Sequence, residues 1–544
     1  MAVDERPAGA ETVPEQPVEP GSHRGRRLAV STAFFSVATG LSRVAGLVRE
    51  IVAANYFGVT GAMSAFTIAF QVPNLVRALF ADAALQGAFV PIFTEHLEKG
   101  KRREAWAVAS GLLSLLAMAL GSLTIVFWIA APAIMPIFSP GFSPHLQDLT
   151  VQLSRLMFPI VLLLALSGIV VGILNSFEHF SVPALAPVVW NLIIIGSLVG
   201  LTPLFHGDDR IYAYAIGVLA GTIVQFLMPL PWLRNRGGRI TFNVEWRNPA
   251  VWRVLRLMLP VTLALGLINF SALVNSIFGT LVNVEAPSAI DKAFRIYMLP
   301  QGLFSVAIAT ILFPTLSRYA ARGAYADLRA TMANGTRQIL LLLIPSAAIM
   351  AVLAVPITRL VYQRGAFDHA ATDLVSQAMW VWALSLPANG ASLLFSRTFF
   401  SLQKPWLTTG LAVGNLALNA ALAAALYQPL GVKGVVLGSV AGTVGMALAQ
   451  AFALRRELHG IEGGRILSAT LRVLAATAAL AGVSYGVWYG LDQALGRSLV
   501  AQIVSLGAGI LAGIGVYIVA VLAMRVEEAR QISRLLGGRL RRRA

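Results

Sequence analysis

The chain has 544 residues, of which 57% are hydrophobic and 12% charged, and its mean hydropathy is +0.73. Soluble domains carry about 25% charged residues, so this composition excludes a soluble protein and predicts an integral membrane protein. Because the chain contains no cysteine, disulfides, thiol catalysis and cysteine-ligated metals are excluded as well, and no metal site is expected.

Residues 1–27 are predicted to form a disordered cytoplasmic tail, since the first part is rich in Pro, Glu, Gly and Ala. About fourteen apolar segments follow, each long enough to cross a bilayer as a helix, which predicts an all-α integral membrane protein. In chain order they are 30–57, 62–98, 103–131, 147–174, 183–203, 211–232, 249–281, 287–317, 332–354, 372–400, 405–426, 433–454, 466–489 and 498–524.

Basic residues fall mostly on alternate connections between these segments. They are dense before the first span and after the second, sixth, eighth and twelfth, and sparse on the connections between. The positive-inside rule therefore places both termini in the cytoplasm. The net charge of +17 is then accounted for by topology and by attraction to anionic membrane lipids, and nucleic acid is not an expected partner.

The chain resembles itself at a spacing of about 223 residues. The stretch AFTIAFQ at 65–71 corresponds to AIDKAFR at 289–295, and VPIFTEHLEKG at 90–100 corresponds to FPTLSRYAARG at 313–323. This predicts two six-helix lobes, 28–232 and 233–455, related by a pseudo-two-fold axis along the membrane normal, with the substrate site between them. Residues 456–544 add two further spans and a basic tail.

Four arginines lie within apolar segments: Arg43, Arg49, Arg77 and Arg295. An arginine at membrane depth is costly and persists where it faces a bundle interior or a wet cavity and has a partner or a ligand. The four residues predict a cationic chamber, and therefore an anionic substrate. Glu50 is the neighbour expected to compensate Arg43 or Arg49; alternatively, Arg49 and Glu50 end the span and extend to the interface.

Polar residues accompany the other two arginines. Gln71, Asn74 and Arg77 are spaced i, i+3 and i+6 around Pro73, a stripe that would line a cavity, although a break between two shorter helices would place Arg77 at the interface. Asp291 precedes Arg295 by four residues, so the two can form a bridge on one helix face, either in the cavity or as a purely structural pair.

Several stretches resemble signatures of one transporter family. They are SRVAGLVRE at 42–50, PNLVRALFADAALQGAFVP at 73–91, ILNSFEHFSVPALAPVVWN at 173–191 and LPQGLFSVAIATILFPTLS at 299–317. They are similar to those of the MurJ/MviN lipid II flippases of the MOP exporter superfamily, and the resemblance runs from about residue 30 to the C-terminus. It implies two six-helix lobes in a V and two C-terminal helices whose groove takes the lipid tail.

The resemblance also implies roles for individual residues. The family's cavity arginines correspond to the same four positions, while family acidic positions are Ser64 and Phe294 here, and the second residue of a frequent arginine pair is Ala78. Some relatives bind sodium through acidic residues in spans seven and eleven. This chain has no carboxylate there, which argues against sodium coupling; its polar residues in those spans are Asn269, Asn275, Asn415 and Asn419.

The expected function is therefore that of a lipid II flippase in the bacterial cytoplasmic membrane. It would move an undecaprenyl-pyrophosphate-linked peptidoglycan precursor from the inner to the outer leaflet by alternating access, with the cavity binding the pyrophosphate. No catalytic residue and no cofactor are expected; coupling to a monovalent cation or to membrane potential is left open, as are cell-wall protein partners. The alternatives are an exporter of another polyprenyl-linked oligosaccharide or of drugs, a membrane glycosyltransferase, and a non-transporting scaffold.

Overall fold

The computed structural model describes residues 22–79, 82–234, 236–243 and 249–530, without side-chain detail for 22–33, 35–36, 77–79, 82–87 and 257–269. Within these ranges the regular elements are helices, as the composition predicts. Most of the predicted N-terminal tail and all of the C-terminal basic tail lie outside them. The first described helix begins at Ser22.

The helices are named in chain order. Before residue 230 they are α1 (Ser22–Phe57), α2 (Gly61–Leu79), α3 (Asp82–Glu98), α4 (Arg102–Phe138), α5 (Pro144–Met157), α6 (Ile160–Ser176), α7 (Ser181–Leu201) and α8 (Tyr212–Leu227). After it they are α9 (Pro249–Val282), α10 (Ala286–Pro300), α11 (Val306–Ala321), α12 (Tyr325–Val352), α13 (Ala354–Tyr362), α14 (His369–Ser401), α15 (Pro405–Glu457), α16 (Gly463–Leu495) and α17 (Leu499–Ala523).

Ten helical segments among the described residues are long and apolar enough to cross a membrane. The predicted fourteen spans fit these elements when α2–α3, α5–α6 and α10–α11 each count once, α15 counts twice and the nine-residue α13 is left out. Helix α15 is kinked at Gly431, whose φ of 57° no helix interior uses. A π-helical segment, Gln301–Ser305, follows Pro300 and separates α10 from α11.

Each half of the chain has an apolar core of its own. One core is built mostly from residues between Ala53 and Val218, and another from residues between Ala286 and Leu458 together with Ala54 and Val59 at the end of α1. Helix α9 packs on both halves, because its Leu273 belongs to the first core while Val282 packs against the second. The predicted boundary between the two lobes, at residues 232 and 233, stays a prediction.

Helices α16 and α17 pack on α12 through an apolar cluster that includes Leu341, Val473 and Tyr517. Two buried ion pairs reinforce this attachment. Arg359 of α13 pairs with Asp492 of α16, and Arg337 of α12 pairs with Glu528, which follows α17. The last two helices are therefore fixed to the second half of the chain.

The two halves meet at one end of the molecule through main-chain contacts. The Gly141 N–H donates to Thr280 Oγ1 at 3.2 Å, and the Ala366 N–H donates to the Asn55 carbonyl at 2.9 Å. A Cβ at Gly141 would lie 1.9 Å from the Thr280 carbonyl oxygen, and one at Gly365 would lie 2.4 Å from that of Asn55. Only glycine permits so close an approach at these two positions.

A buried charge cluster between the two halves

Helices α1 and α10 bring the charged residues to the same depth below this closed end. Arg49 and Glu50 lie about two turns before α1 ends at Phe57, and Asp291 and Arg295 lie within the first three turns of α10. Both helices end or begin at the loops that close the molecule. Residues far apart in sequence therefore meet across the interface between the halves.

Glu50 is shared by two arginines from opposite halves. Arg49 Nη2 donates to Glu50 Oε1 at 2.5 Å, and Arg295 Nη1 lies 3.0 Å from the same oxygen. Arg295 Nε also donates to Asp291 Oδ2 at 2.7 Å, which is the acid-before-base bridge predicted from their spacing. Arg295 thus holds one carboxylate with each edge of its planar guanidinium, a geometry that a lysine ammonium does not provide.

Aromatic residues of the first half enclose Arg49 and Glu50. The Arg49 guanidinium lies 4.8 Å from the centroid of the Trp190 ring, and the Tyr214 hydroxyl donates to Glu50 Oε1 at 3.4 Å. Arg49 is 8% and Glu50 5% exposed. This burial excludes the alternative in which both side chains extend to the membrane surface.

A further cation on α10 is fully buried. Lys292 has no exposed surface, and its Nζ has no hydrogen-bond partner among the described residues. The Nζ lies 5.4 Å from the centroid of the Tyr362 ring, within the range of a cation–π contact. With Arg49 and Arg295 it gives three cations beside the carboxylates Glu50 and Asp291, so the cluster carries a positive excess.

The remaining predicted site residues lie outside this cluster or outside the described side chains. Arg43 is exposed on α1, about 9 Å along the helix from Arg49, and no described residue forms an ion pair with it. Gln71 and Asn74 are half-buried on α2, and Gln71 Oε1 has no hydrogen-bond partner in the described part of the chain. The Arg77 backbone is helical, but its side chain is not among those described.

The predicted single segment over 62–98 covers two described helices. The structure describes α2 up to Leu79 and α3 from Asp82, and residues 80–81 lie outside the described part of the chain. Helix α2 continues through Pro73, so the proline does not end it.

Sequence reasoning missed the aromatic part of the cluster. Trp190 and Tyr214 lie in apolar segments, where an aromatic residue is equally typical of the core or of a lipid-facing surface, and Tyr362 lies on the connection between two predicted spans. Lys292 is not among the predicted site residues, although it is fully buried in the cluster. Its i, i+3 spacing from Arg295 was the one available signal.

A second polar cluster joins α9 to both parts of α15. Asn275 Oδ1 accepts hydrogen bonds from Asn419 Nδ2 at 3.3 Å and from Ser439 Oγ at 2.8 Å. All three residues are buried, with Asn419 fully so. Two donors occupy both lone pairs of the Asn275 oxygen. These neutral side chains bond to one another, and the cluster includes no carboxylate.

Chemically, the buried charge cluster is suited to an oxyanion. The guanidinium groups are fixed by carboxylates, and Arg295 is still 33% exposed, so it can contact a ligand. Charge-assisted bonds from arginine to phosphate or carboxylate are among the strongest hydrogen bonds in proteins. Among the described residues, no three His, Cys, Asp or Glu side chains are grouped as a metal site would require.

Comparison with known proteins is consistent with this arrangement. The family model described as "Lipid II flippase MurJ" matches residues 53–526. A protein of Rhizobium meliloti (strain 1021), "Probable lipid II flippase MurJ", is 33% identical over 408 residues, which are 72% of this chain and 74% of that protein.

Two solved structures show the same fold. The structure described as "Lipid II flippase MurJ, inward closed conformation" aligns with a TM-score of 0.73 at 23% identity, covering 89% of this chain and 97% of its own. An inward-facing multidrug resistance MATE transporter of the MOP superfamily aligns with a TM-score of 0.64 at 16% identity, covering 78% and 96%.

Proposed function

The chain belongs to the lipid II flippase MurJ family, and from this premise we propose that it moves lipid II from the inner to the outer leaflet of the bacterial cytoplasmic membrane. The substrate is an undecaprenyl-pyrophosphate-linked disaccharide-peptide used in peptidoglycan synthesis, and so in building the cell wall and maintaining cell shape. The observation that carries this proposal is the Arg49, Glu50 and Arg295 cluster at the interface of the two halves.

Pyrophosphate recognition follows from the chemistry of the cluster. A pyrophosphate diester carries about two negative charges, and each guanidinium can bind two of its oxygens in a bidentate manner. Glu50 and Asp291 hold Arg295 in place, which reduces the conformational entropy lost when the anion binds. Arg43 precedes Arg49 by about 9 Å along α1, away from the closed end, where the headgroup would enter, and Arg77 stays a predicted contact of the pyrophosphate.

Alternating access accounts for the position of the cluster. The contacts at Gly141 and Ala366 close one end of the interface, which we assign to the outer side because both termini are then cytoplasmic. The headgroup would enter from the inner side while its polyprenyl tail stays in lipid. Separation of the two lobes, 28–232 and 233–455, at the closed end would then expose the site outward.

Membrane potential is one source of energy for this cycle. A charge that crosses the membrane changes its free energy by about 2.3 kcal/mol per 100 mV. The empty carrier has an excess of buried cations, so an inside-negative potential would favour its return to the inward-facing state. Equal flipping rates in proteoliposomes with and without a potential would remove this step.

An exporter of another polyprenyl-linked oligosaccharide is the second candidate, because its pyrophosphate would suit the same arginines. The likeness to a MATE transporter concerns the fold, and a drug exporter has less use for a buried oxyanion site. A glycosyltransferase would need a catalytic carboxylate at the surface of a sizeable loop, and the descriptions of the relatives name a transporter.

The test is complementation of a bacterium depleted of its own lipid II flippase. We expect rescue by the wild type and no rescue by Arg43→Ala, Arg49→Ala, Arg77→Ala or Arg295→Ala at matched membrane levels. Rescue by all four variants would show that the arginines do not bind the substrate. In vitro flipping of lipid II, compared with another polyprenyl-pyrophosphate glycan, would separate the two exporter candidates.

A further inference from the structure

A cavity of about 250 Å³ lies far from the charge cluster along the chain, where α12, α16 and the segment after α17 meet. Three arginines line it, together with a serine and two glutamates. These residues are Arg337, Arg465, Arg472, Ser468, Glu527 and Glu528. The transport cycle proposed above makes no use of them.

Arg337 leaves one hydrogen-bond donor unused at this cavity. Its side chain is only 11% exposed and its Nε donates to Glu528, which is 2% exposed. Its Nη1 is buried without a hydrogen-bond partner among the described residues, and the Glu462 carboxylate lies 3.7 Å away as an ion pair only. A buried, unsatisfied guanidinium N–H is costly, and an anion in the cavity would satisfy it.

Helix α16 presents a polar face to the same cavity. Arg465, Ser468 and Arg472 are spaced i, i+3 and i+7, so their side chains lie on one side of the helix. The helix begins at Gly463, and Glu462 before it makes no side-chain capping bond. Arg465 Nη1 donates to Glu462 Oε2 at 3.3 Å, and the positive end of the helix dipole adds to the charge of the arginines.

Helix α16 also exposes an apolar surface, about 120° around the helix from this polar face. Leu467, Leu471 and Leu474 are 60%, 58% and 48% exposed. In a membrane, such leucines contact acyl chains, whereas the arginines at the helix end lie at the level of the lipid headgroups. A cavity lined by three arginines on a helix that also exposes an apolar surface matches a phospholipid better than a free anion.

We propose that this cavity binds the phosphate headgroup of an anionic phospholipid. Arg337, Arg465 and Arg472 bind the phosphate, and the acyl chains lie along the leucines of α16. Basic pockets between membrane helices are known to hold such headgroups. The bound lipid joins α12 to α16 and so strengthens the attachment of the last two helices. In the orientation proposed above, α16 begins on the cytoplasmic side, so the lipid belongs to the inner leaflet. Only this assignment rests on the proposed function.

The test uses the purified full-length chain in detergent and measures its thermal unfolding temperature. The probes are short-chain phosphatidylglycerol, short-chain phosphatidylcholine and inorganic phosphate, each titrated separately. We expect a saturable rise with phosphatidylglycerol and little change with the other two. The Arg465→Ala/Arg472→Ala variant should weaken the apparent affinity for phosphatidylglycerol at least about tenfold, because it loses charge-assisted hydrogen bonds.

A matched control removes the same charge elsewhere. Arg102 and Arg103 are exposed at the start of α4, and the Arg102→Ala/Arg103→Ala variant should keep the wild-type response. An unchanged response of the Arg465→Ala/Arg472→Ala variant would overturn the proposal, as would an equal loss in the control. Equal stabilisation by inorganic phosphate would make the ligand a free anion. Because unfolding is measured, failure of lipid II transport would not affect the result.

Discussion

Glu50 Oε1 lies 3.0 Å from Arg295 Nη1, and this contact joins the first half of the chain to the second. The same oxygen accepts a hydrogen bond from Arg49, so a single carboxylate holds two cations that Coulomb repulsion would otherwise separate. The interface between the halves is therefore organised by the acid at its centre, although the arginines are the more conspicuous residues in the sequence.

Replacement of Glu50 by glutamine should abolish complementation and lower the thermal unfolding temperature. Loss of one partner from a buried charged cluster costs about 3–5 kcal/mol, since the remaining charges are left uncompensated. The measurement is growth of a flippase-depleted strain, with unfolding followed in detergent. Glu285→Gln is the control, because Glu285 is an exposed carboxylate just before α10. Wild-type behaviour of Glu50→Gln would show that its charge is dispensable.

Arg295→Lys should be nearly as defective as Arg295→Ala. The arginine contacts Glu50 through Nη1 and Asp291 through Nε, and a single ammonium group cannot reach both with this geometry. We expect a flipping rate in proteoliposomes at least about tenfold lower, in line with the loss of one charge-assisted bond. The exposed Arg322→Lys provides the comparison. Full activity of Arg295→Lys would show that this position needs only a positive charge and not the guanidinium geometry.

A disulfide between the two halves should lock the closed end. A Cβ on Gly61 would lie 3.6 Å from Val284 Cβ, which is within the range that disulfides use, and the chain has no native cysteine to interfere. In the Gly61→Cys/Val284→Cys variant, oxidation should stop flipping and reduction should restore it. Each single-cysteine variant should ignore the oxidant. Continued flipping by the fully cross-linked protein would contradict opening at this end.

Removing one partner of the buried pair of Arg359 and Asp492 should destabilise the protein more than removing both. Each side chain is 9% exposed, so Asp492→Leu leaves a buried arginine without its partner and should lower the free energy of unfolding by about 3 kcal/mol. The Arg359→Met/Asp492→Leu variant should recover much of that loss, because no buried charge remains. The measurement is the unfolding temperature of each variant. A double variant that is less stable than Asp492→Leu would contradict this prediction.

Sodium should have no effect on flipping. Asn275, Asn419 and Ser439 are neutral and saturate one another, so the cluster between α9 and α15 offers no charged ligand to a cation. Replacing sodium by potassium in proteoliposomes should leave the rate unchanged at equal ionic strength and potential. A rate that rises with sodium concentration would require a cation site elsewhere.

The sequence predicts the helices and the arginines better than it predicts their environment. Apolar length marks a membrane helix directly, and Arg49 and Arg295 stand out because a charge in an apolar segment is expensive. The partner of a charge on another helix is a tertiary property. The bridge between Asp291 and Arg295 can be predicted from the sequence because both residues lie on α10. The contact of Glu50 with Arg295 depends on how α1 packs against α10.

Breaks inside spans were the less predictable part of the fold. The π-helical segment after Pro300 interrupts a stretch that the sequence predicts as one span, whereas the kink at Gly431 falls between the predicted spans 405–426 and 433–454. A hydropathy window averages over such points and reports one continuous span or two separate ones. Proline alone did not mark them, since α2 continues through Pro73.

In the alternating cycle proposed above, the glycines at the closed end set the balance between conformations. A methyl group at Gly141 or Gly365 would clash with a backbone carbonyl oxygen of the opposite half, and no side-chain rotation could relieve that clash. Such a clash would raise the energy of the closed state alone, and the population would shift towards the open one. The closed state of the proposed cycle thus depends on the absence of side chains at these two glycines as much as on the residues that would contact lipid II.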